Sequence, residues 1–329
     1  MKMLNVGIIG TGHLGKIHTK LIKEVMRAEL VGVYDIDNTI AKTVAEELDT
    51  ISYDNLDIFL ENVDAVSIVA TTSAHYELIK KAFEKNVHVF VEKPITGTIE
   101  QAEEVVKIAA EKKLKLQVGH IERFNSALLS LDKYHLDPKF IQTDRLAQFN
   151  PRGTDVAVVL DLMIHDIDII LSLIKSKVQE VRASGVAVVS DNIDIANARI
   201  AFENGAIANV TASRISQKKM RKMRMFQKDS YISVDFNSGV SEVFRLISPN
   251  DMNLEHFLSF GEIGIGENKK SVIYEQPEIK EVNALKHELE LYVNTILDDK
   301  KPIVSGEDGL RALKVAEIIM QKIEESKLK

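Results

Sequence analysis

Two stretches of this chain hold side chains whose types and spacing suit proton and charge transfer. The first is Val156 to Lys175, VAVVLDLMIHDIDIILSLIK, where Asp161, His165 and Asp168 interrupt an apolar run. Spacings of four and three put these groups on one face of a helix. Asp166 falls elsewhere on the helix and is expected only to pair locally. Charged groups on a buried helix cost several kcal/mol each unless they are paired or meet water. The stripe is therefore either a self-satisfied core network or an acid–base apparatus in which the carboxylates raise the basicity of the imidazole. A metal is not expected, because two carboxylates and one imidazole make a thin ligand set. The second stretch is Val91 to Pro94, VEKP. Lys93 is either an ordinary loop lysine or an amine held just beyond a buried strand. In the second case it can stabilise a developing alkoxide or donate a proton, with Pro94 restricting the backbone behind it.

A group that accepts hydride would give such residues a reaction, and the start of the chain offers a place for one. Leu4 to His18 reads LNVGIIGTGHLGKIH, an apolar strand followed by Gly10, Gly12 and Gly15 and then a helical pattern. In that context G-x-G-x-x-G signals dinucleotide binding. Gly10 allows the tight turn, Gly12 lets backbone approach a pyrophosphate, and Gly15 lets the helix pack on the strand. Thr11, His13 and Leu14 complete the turn, and the first N–H groups of the helix favour phosphate oxygens. Alone, the motif is also compatible with an ordinary glycine-rich turn. A second apolar run, Glu29 to Tyr34, ends at Asp35, about 20 residues past Gly15, where a carboxylate can accept the ribose hydroxyls. It would repel a 2′-phosphate, and no Arg follows it directly, so NAD is expected over NADP.

The surrounding pattern is of strands alternating with helices up to Leu116–Gly119, which implies a doubly wound parallel sheet. Helices are expected over Thr39 to Leu48 (capped by Asp37 or Asn38), Leu56 to Asn62, His75 to Lys85 and Ile99 to Lys113, and strands over Val63 to Ala70 and Val87 to Val91. Ligands in such sheets lie beyond the carboxyl ends of the strands. The candidate positions are then the glycine turn, Asp35, Thr71, Thr72 and His75, Glu92 with Lys93, and His120 to Arg123. From Arg123 to Tyr134 a helical pattern leads out of the sheet, and Pro138 and Pro151 punctuate the region after it. Beyond the Val156–Lys175 helix the period changes to two. Strands are expected over Val178–Val189, Ile193–Glu203, Ala206–Ser213, Met223–Gln227, Tyr231–Phe236 and Val243–Ile247, with a hairpin at Asn204-Gly205. Asn250 to Asn268 reads as a loop over one sheet edge, and two helices, Val282–Leu297 and Gly306–Glu325, close the chain. The fold class is thus α/β: a Rossmann domain over residues 1–122 and an α+β domain with an open, mostly antiparallel sheet over residues 123–329.

With 329 residues, 45% apolar and 28% charged, the chain suits two soluble globular domains. Its net charge of −7 argues against general nucleic-acid binding. The basic run Arg214, Lys218, Lys219, Arg221, Lys222 and Arg224 is either a solvated turn or a collector of acidic substrate. Without cysteine, disulfides, thiolate catalysis and cysteine-bound zinc are excluded. No apolar run has membrane-spanning length and no signal-peptide core opens the chain, so the cytoplasm is the expected compartment.

Taken in order, GIIGTGHLGKIH, VEKP and the D-x-x-x-H of Asp161 and His165 resemble the glucose–fructose oxidoreductase/inositol dehydrogenase (Gfo/Idh/MocA) family over the whole chain. The resemblance implies an NAD(P)-binding Rossmann domain and an open sheet holding a sugar or polyol. It makes Lys93 the family's catalytic lysine, Asp161 its aspartate and His165 its general base. Thr71, Thr72 and His75 match a loop that contacts the nicotinamide half. VGHIERFN (Val118 to Asn125) and DLMIHDID (Asp161 to Asp168) are most similar to members that convert a UDP-sugar to a 3-keto nucleotide sugar; there Arg123 and Arg214, with the basic run, would serve the diphosphate. One departure is that Val158, Val159 and Leu160 stand where many members carry paired glycines, which lengthens the expected helix. The leading expectation is an NAD-dependent dehydrogenase of a secondary hydroxyl, on a nucleotide sugar, an inositol or a simple sugar. A non-catalytic dinucleotide sensor would need neither Lys93 nor the Asp161–His165 pair, and an enzyme that recycles a retained cofactor between two sugars would release NAD slowly. A homodimer or homotetramer through the open sheet is the expected assembly.

Overall fold

A computed structural model describes residues 2–150, 156–248, 258–266 and 269–327. The chain divides into two units, Met1–Phe124 with Asn283–Lys314, and Asn125–Val282 with Val315–Lys329.

The first unit is built on six parallel strands: β1 (Leu4–Ile9), β2 (Ala28–Tyr34), β3 (Ser52–Tyr53), β4 (Ala65–Ile68), β5 (His88–Glu92) and β6 (Leu116–Gly119), in the order β3-β2-β1-β4-β5-β6. Helices α1 (His13–Ile22), α2 (Asn38–Glu47), α3 (Leu56–Glu61), α4 (Thr72–Glu84) and α5 (Ile99–Lys112) alternate with them. Val6, Ile8 and Ile9 of β1 and Val89 to Val91 of β5 are buried, as strands covered on both faces require. The strand order reverses between β1 and β4, and the glycine turn leaves β1 at that switch point. Asp37 caps α2 by accepting the N–H groups of Thr39 and Ile40 at 2.9 and 3.3 Å.

The second unit carries a nine-stranded sheet. Its strands are β7 (Phe140–Leu146), β8 (Val178–Val186), β9 (Ile195–Phe202), β10 (Ile207–Ser213), β11 (Met220–Gln227), β12 (Ser230–Asp235), β13 (Val240–Ile247), β14 (Leu258–Ile263) and β15 (Lys270–Glu275), in the order β14-β15-β13-β12-β11-β7-β10-β9-β8. Every neighbouring pair is antiparallel except β7 and β10. The hairpin at Asn204-Gly205 joins β9 to β10, with Gly205 at φ +81. Ile141, Val210, Met225, Ile232 and Val243 bury one face, as the period of two requires.

Several expectations change here. The helix expected over Arg123 to Tyr134 is only a 3-10 turn at Ile121–Phe124 and one turn of helix, α6 (Ser126–Leu129). β7 was not anticipated, because Arg145 occupies one of its buried positions and masks the alternation. The loop expected over Asn250 to Asn268 contains β14, an exposed edge strand; residues 250–257 and 267–268, like Pro151, lie outside the described residues. The Val156–Lys175 helix opens as a π turn, Val159–Met163, before α7 (Ile164–Leu173).

The helix α8 (Ala284–Leu297) and the first part of α9 (Gly306–Lys327), up to Lys314, belong to the first unit, whereas the boundary at residues 122 and 123 assigned them to the second. The cause is apolar burial: Leu285, Leu289, Tyr292 and Val293 join Val6, Ile8, Leu21 and Ile22 in one core cluster. No helix among the described residues is long and apolar enough to cross a membrane.

Candidate active site

Two glycines of the first turn are required by close contacts within the protein, and the third is not. Gly10 adopts φ +92, and a Cβ there would meet the Val69 carbonyl oxygen at 2.7 Å. A Cβ on Gly15 would stand 1.9 Å from the Gly10 oxygen, whereas one on Gly12 would meet nothing within 4 Å. Gly12 precedes α1 without a side-chain cap, and His13 and Leu14 of its first turn are exposed. The first N–H groups of α1 are thus left for an anion, and the backbone at Gly12 is open to a pyrophosphate. This cradle fits a dinucleotide. Asp35 lies just beyond β2, where its Oδ2 accepts the Thr11 amide at 2.6 Å and the Thr11 hydroxyl at 3.0 Å. The carboxylate expected to meet the ribose therefore also fastens the glycine turn, with lone pairs to spare.

The turns after β4 and β5 are joined by His75. Its ring is buried, with Nδ1 2.9 Å from the Pro94 oxygen and Nε2 3.1 Å from the Ala70 oxygen. Burial pushes this imidazole below its usual pKa, against the opposing pull of those carbonyls and of Glu92. His75 thus clamps the two backbone turns that the nicotinamide loop is expected to use. Thr71 and Thr72 open α4 and remain exposed and half-buried, respectively. Lys93 follows β5 directly, half-buried, and its peptide bond to Pro94 is cis. Glu92 covers Gly119 and lies 3.2 Å from Nε2 of His18, a buried histidine whose Nδ1 meets the Ser67 hydroxyl at 2.9 Å. Glu92 is thereby tied into the sheet as well.

Arg123 is drawn into the first unit. It donates to the Ile303 oxygen at 3.5 Å and lies 3.9 Å from Asp308. Burial would raise the Asp308 pKa, but Arg123, Ser305 and Arg311 outweigh it and hold the carboxyl below its usual range. Arg123 thus lies against the start of α9.

In the second unit, Asp161 lies in the π turn and His165 one turn later in α7, both half-buried. π turns recur at functional sites. Asp168 is buried beyond them. Asp166, expected only to pair locally, instead accepts two hydrogen bonds from Arg145 of β7, Nε to Oδ2 at 2.7 Å and Nη2 to Oδ1 at 3.0 Å, with both residues buried. Arg145 is the functional candidate that sequence reasoning missed. Arg145 follows Ile141 and Thr143 on the buried face of β7, and its charge hides the alternation that would have marked the strand.

Arg214 is also buried and structural. It donates to the Val156 oxygen and approaches Asp194 at 3.8 Å. Asp194 accepts the amides of Val188, Val189 and Ser190 at 2.7 to 3.0 Å and the Ser190 hydroxyl at 2.7 Å. Burial would raise its pKa, but these donors hold it far below the carboxylate range. The rest of the basic run is largely strand: Lys222 faces Asp235 at 3.3 Å and Arg224 faces Asp144 at 3.7 Å across β11's neighbours.

A parallel sheet with an open glycine turn at its switch point, an acid beyond β2 and a lysine beyond β5 defines a dinucleotide-dependent oxidoreductase. Residues 4–120 match the domain described as "Oxidoreductase family, NAD-binding Rossmann fold", and residues 128–232 match the "GFO/IDH/MocA C-terminal domain". The chain belongs to the Gfo/Idh/MocA family of NAD-binding oxidoreductases. It is 36% identical, over 95% of each chain, to UDP-N-acetylglucosamine 3-dehydrogenase from Acidithiobacillus ferrooxidans. A solved structure of that enzyme covers 98% of this chain and 99% of its own, with a TM-score of 0.87 at 33% identity. Myo-inositol 2-dehydrogenase from Thermotoga maritima is 24% identical over 98% of this chain and 97% of its own.

Proposed function

We propose that this oxidoreductase removes hydride from a secondary hydroxyl of a UDP-linked sugar, with UDP-N-acetylglucosamine as first choice. The likeness to the Acidithiobacillus enzyme across 95% of both chains carries this reading. Inositols and simple hexoses are the alternative substrates. When bound, NAD supplies the hydride acceptor. His165 takes the hydroxyl proton, made more basic by the Asp161 carboxylate one turn earlier, and Lys93 stabilises the alkoxide as it develops. Asp35 holds the adenosine ribose and disfavours a 2′-phosphate. Arg123 and Arg214 are left out of the substrate assignment, because both guanidinium groups are engaged within their own units.

The assembly we propose is a homo-oligomer through the outer face of the nine-stranded sheet. Phe140, Phe226, Tyr231, Phe244, Tyr274 and Phe260 form a row across six neighbouring strands, with successive ring centroids 4.9 to 5.8 Å apart. An aromatic row of this extent suits a second copy of the same face. The cytoplasm, with its NAD pool, is the compartment this reading implies.

The test is turnover. Purified protein with NAD should form NADH on addition of UDP-N-acetylglucosamine, and more slowly or not at all with inositols and free hexoses. NADH formed only with an inositol would replace the substrate. NAD binding without turnover on any member of the panel would leave the sensor reading in its place.

A further inference from the structure

We propose that Arg145 and Asp166 are a positioning pair that sets the rotation of α7 about its own axis, and so the direction in which His165 presents its imidazole. The proposal rests on the reading of His165 as the general base. Ile164, Ile167, Ile169, Ile170 and Leu171 are all buried. A helix apolar nearly all round buries similar area in many rotations, so its apolar side chains specify orientation only weakly. A single buried polar contact can supply the missing register. The two parallel hydrogen bonds from Arg145 to Asp166 are suited to that, since a bidentate contact is directional as well as attractive. Arg145 is held from both sides, because β7 is paired with β10 and β11 along its whole length. Asp166 follows His165 directly, so the two side chains leave the helix about 100° apart and turn together. The π turn just before α7 adds to the need, because its wider ring offers a second way for the helix to settle. Stability alone gives little reason to keep such a pair, since apolar groups of similar volume often serve as well.

The test replaces both partners at once, Arg145→Met with Asp166→Leu. This variant is expected to melt no lower than the parent and to bind NAD with unchanged affinity, while kcat on UDP-N-acetylglucosamine falls roughly 10²-fold, the cost of a misplaced catalytic group. Parental melting together with parental kcat would overturn the proposal. If the double variant does not fold, Arg145→Lys decides: it keeps the charge but loses the forked contact. A fall in kcat of about tenfold at unchanged NAD affinity supports the proposal, on the scale of a small shift in approach geometry, and parental kcat overturns it. His165→Asn is measured alongside. A fully active His165→Asn enzyme removes the base reading and the proposal with it. An inactive one beside a fully active double variant removes the proposal alone.

Discussion

A Cβ on Gly15 would stand 1.9 Å from the carbonyl oxygen of Gly10. The strand and the helix of the glycine turn are therefore in contact at a point where no side chain fits. Gly12, two residues from Gly10, has open space instead. The two positions should separate folding from cofactor binding. Gly15→Ala is expected to lose about 3 kcal/mol of stability, the upper part of the usual overpacking range. Gly12→Ala is expected to melt like the parent yet bind NAD at least tenfold more weakly, on the order of 1.4 kcal/mol. Calorimetric titration and thermal melts on the two variants check this.

Asp35 joins the turn to the cofactor preference. Removing its charge in Asp35→Ala should narrow the preference for NAD over NADP by roughly tenfold, because the repulsion of a nearby 2′-phosphate is lost. Affinity for NAD should fall as well, since Thr11 loses its acceptor. Dissociation constants for both dinucleotides in the two proteins measure the ratio.

Arg214 distinguishes a structural role from a ligand role. Arg214→Ala leaves the buried Asp194 without its nearby cation, and should cost roughly 3 kcal/mol of stability, the scale for breaking a buried pair. Whatever of the variant folds should keep the parental KM. A raised KM with parental melting would return Arg214 to the substrate.

His75 gives the fold a pH dependence of predictable sign. Unfolded, its imidazole takes a proton near 6.5; folded, burial delays that to lower pH. Below 6.5 the unfolded chain thus binds more protons, and stability falls as pH drops until the folded-state pKa is passed. His75→Gln, which keeps a donor for one of the two carbonyls, should flatten this decline. It should not abolish it, because burial and Lys115 lower His88 in the same direction. Denaturant melts between pH 7 and pH 5 provide the comparison (about two units spanning the ordinary histidine range).

Much of this architecture is legible in the chain because it follows from local rules. Gly10, Gly12 and Gly15 announce the turn through their spacing, and Asp35 through its place at the end of an apolar run. The strands from Val178 onward show their period of two. What is hidden depends on partners far away in sequence. Arg145 reads as a charge that breaks a strand until Asp166 is seen beside it. The neighbours of Arg123 and Arg214, Asp308 and Asp194, also show only in the folded chain. Likewise α8 follows the second sheet in the chain but is buried with β1 and α1, because the exposed apolar surface it covers belongs to them. These are long-range pairings that no periodicity records.

The most direct test of the whole account compares kcat and NAD affinity in Lys93→Met and His165→Asn. Both variants are expected to lose about 10²-fold or more in kcat, the usual worth of acid–base assistance, with NAD binding within twofold of the parent. Parental turnover in either variant would contradict the roles assigned to these two side chains.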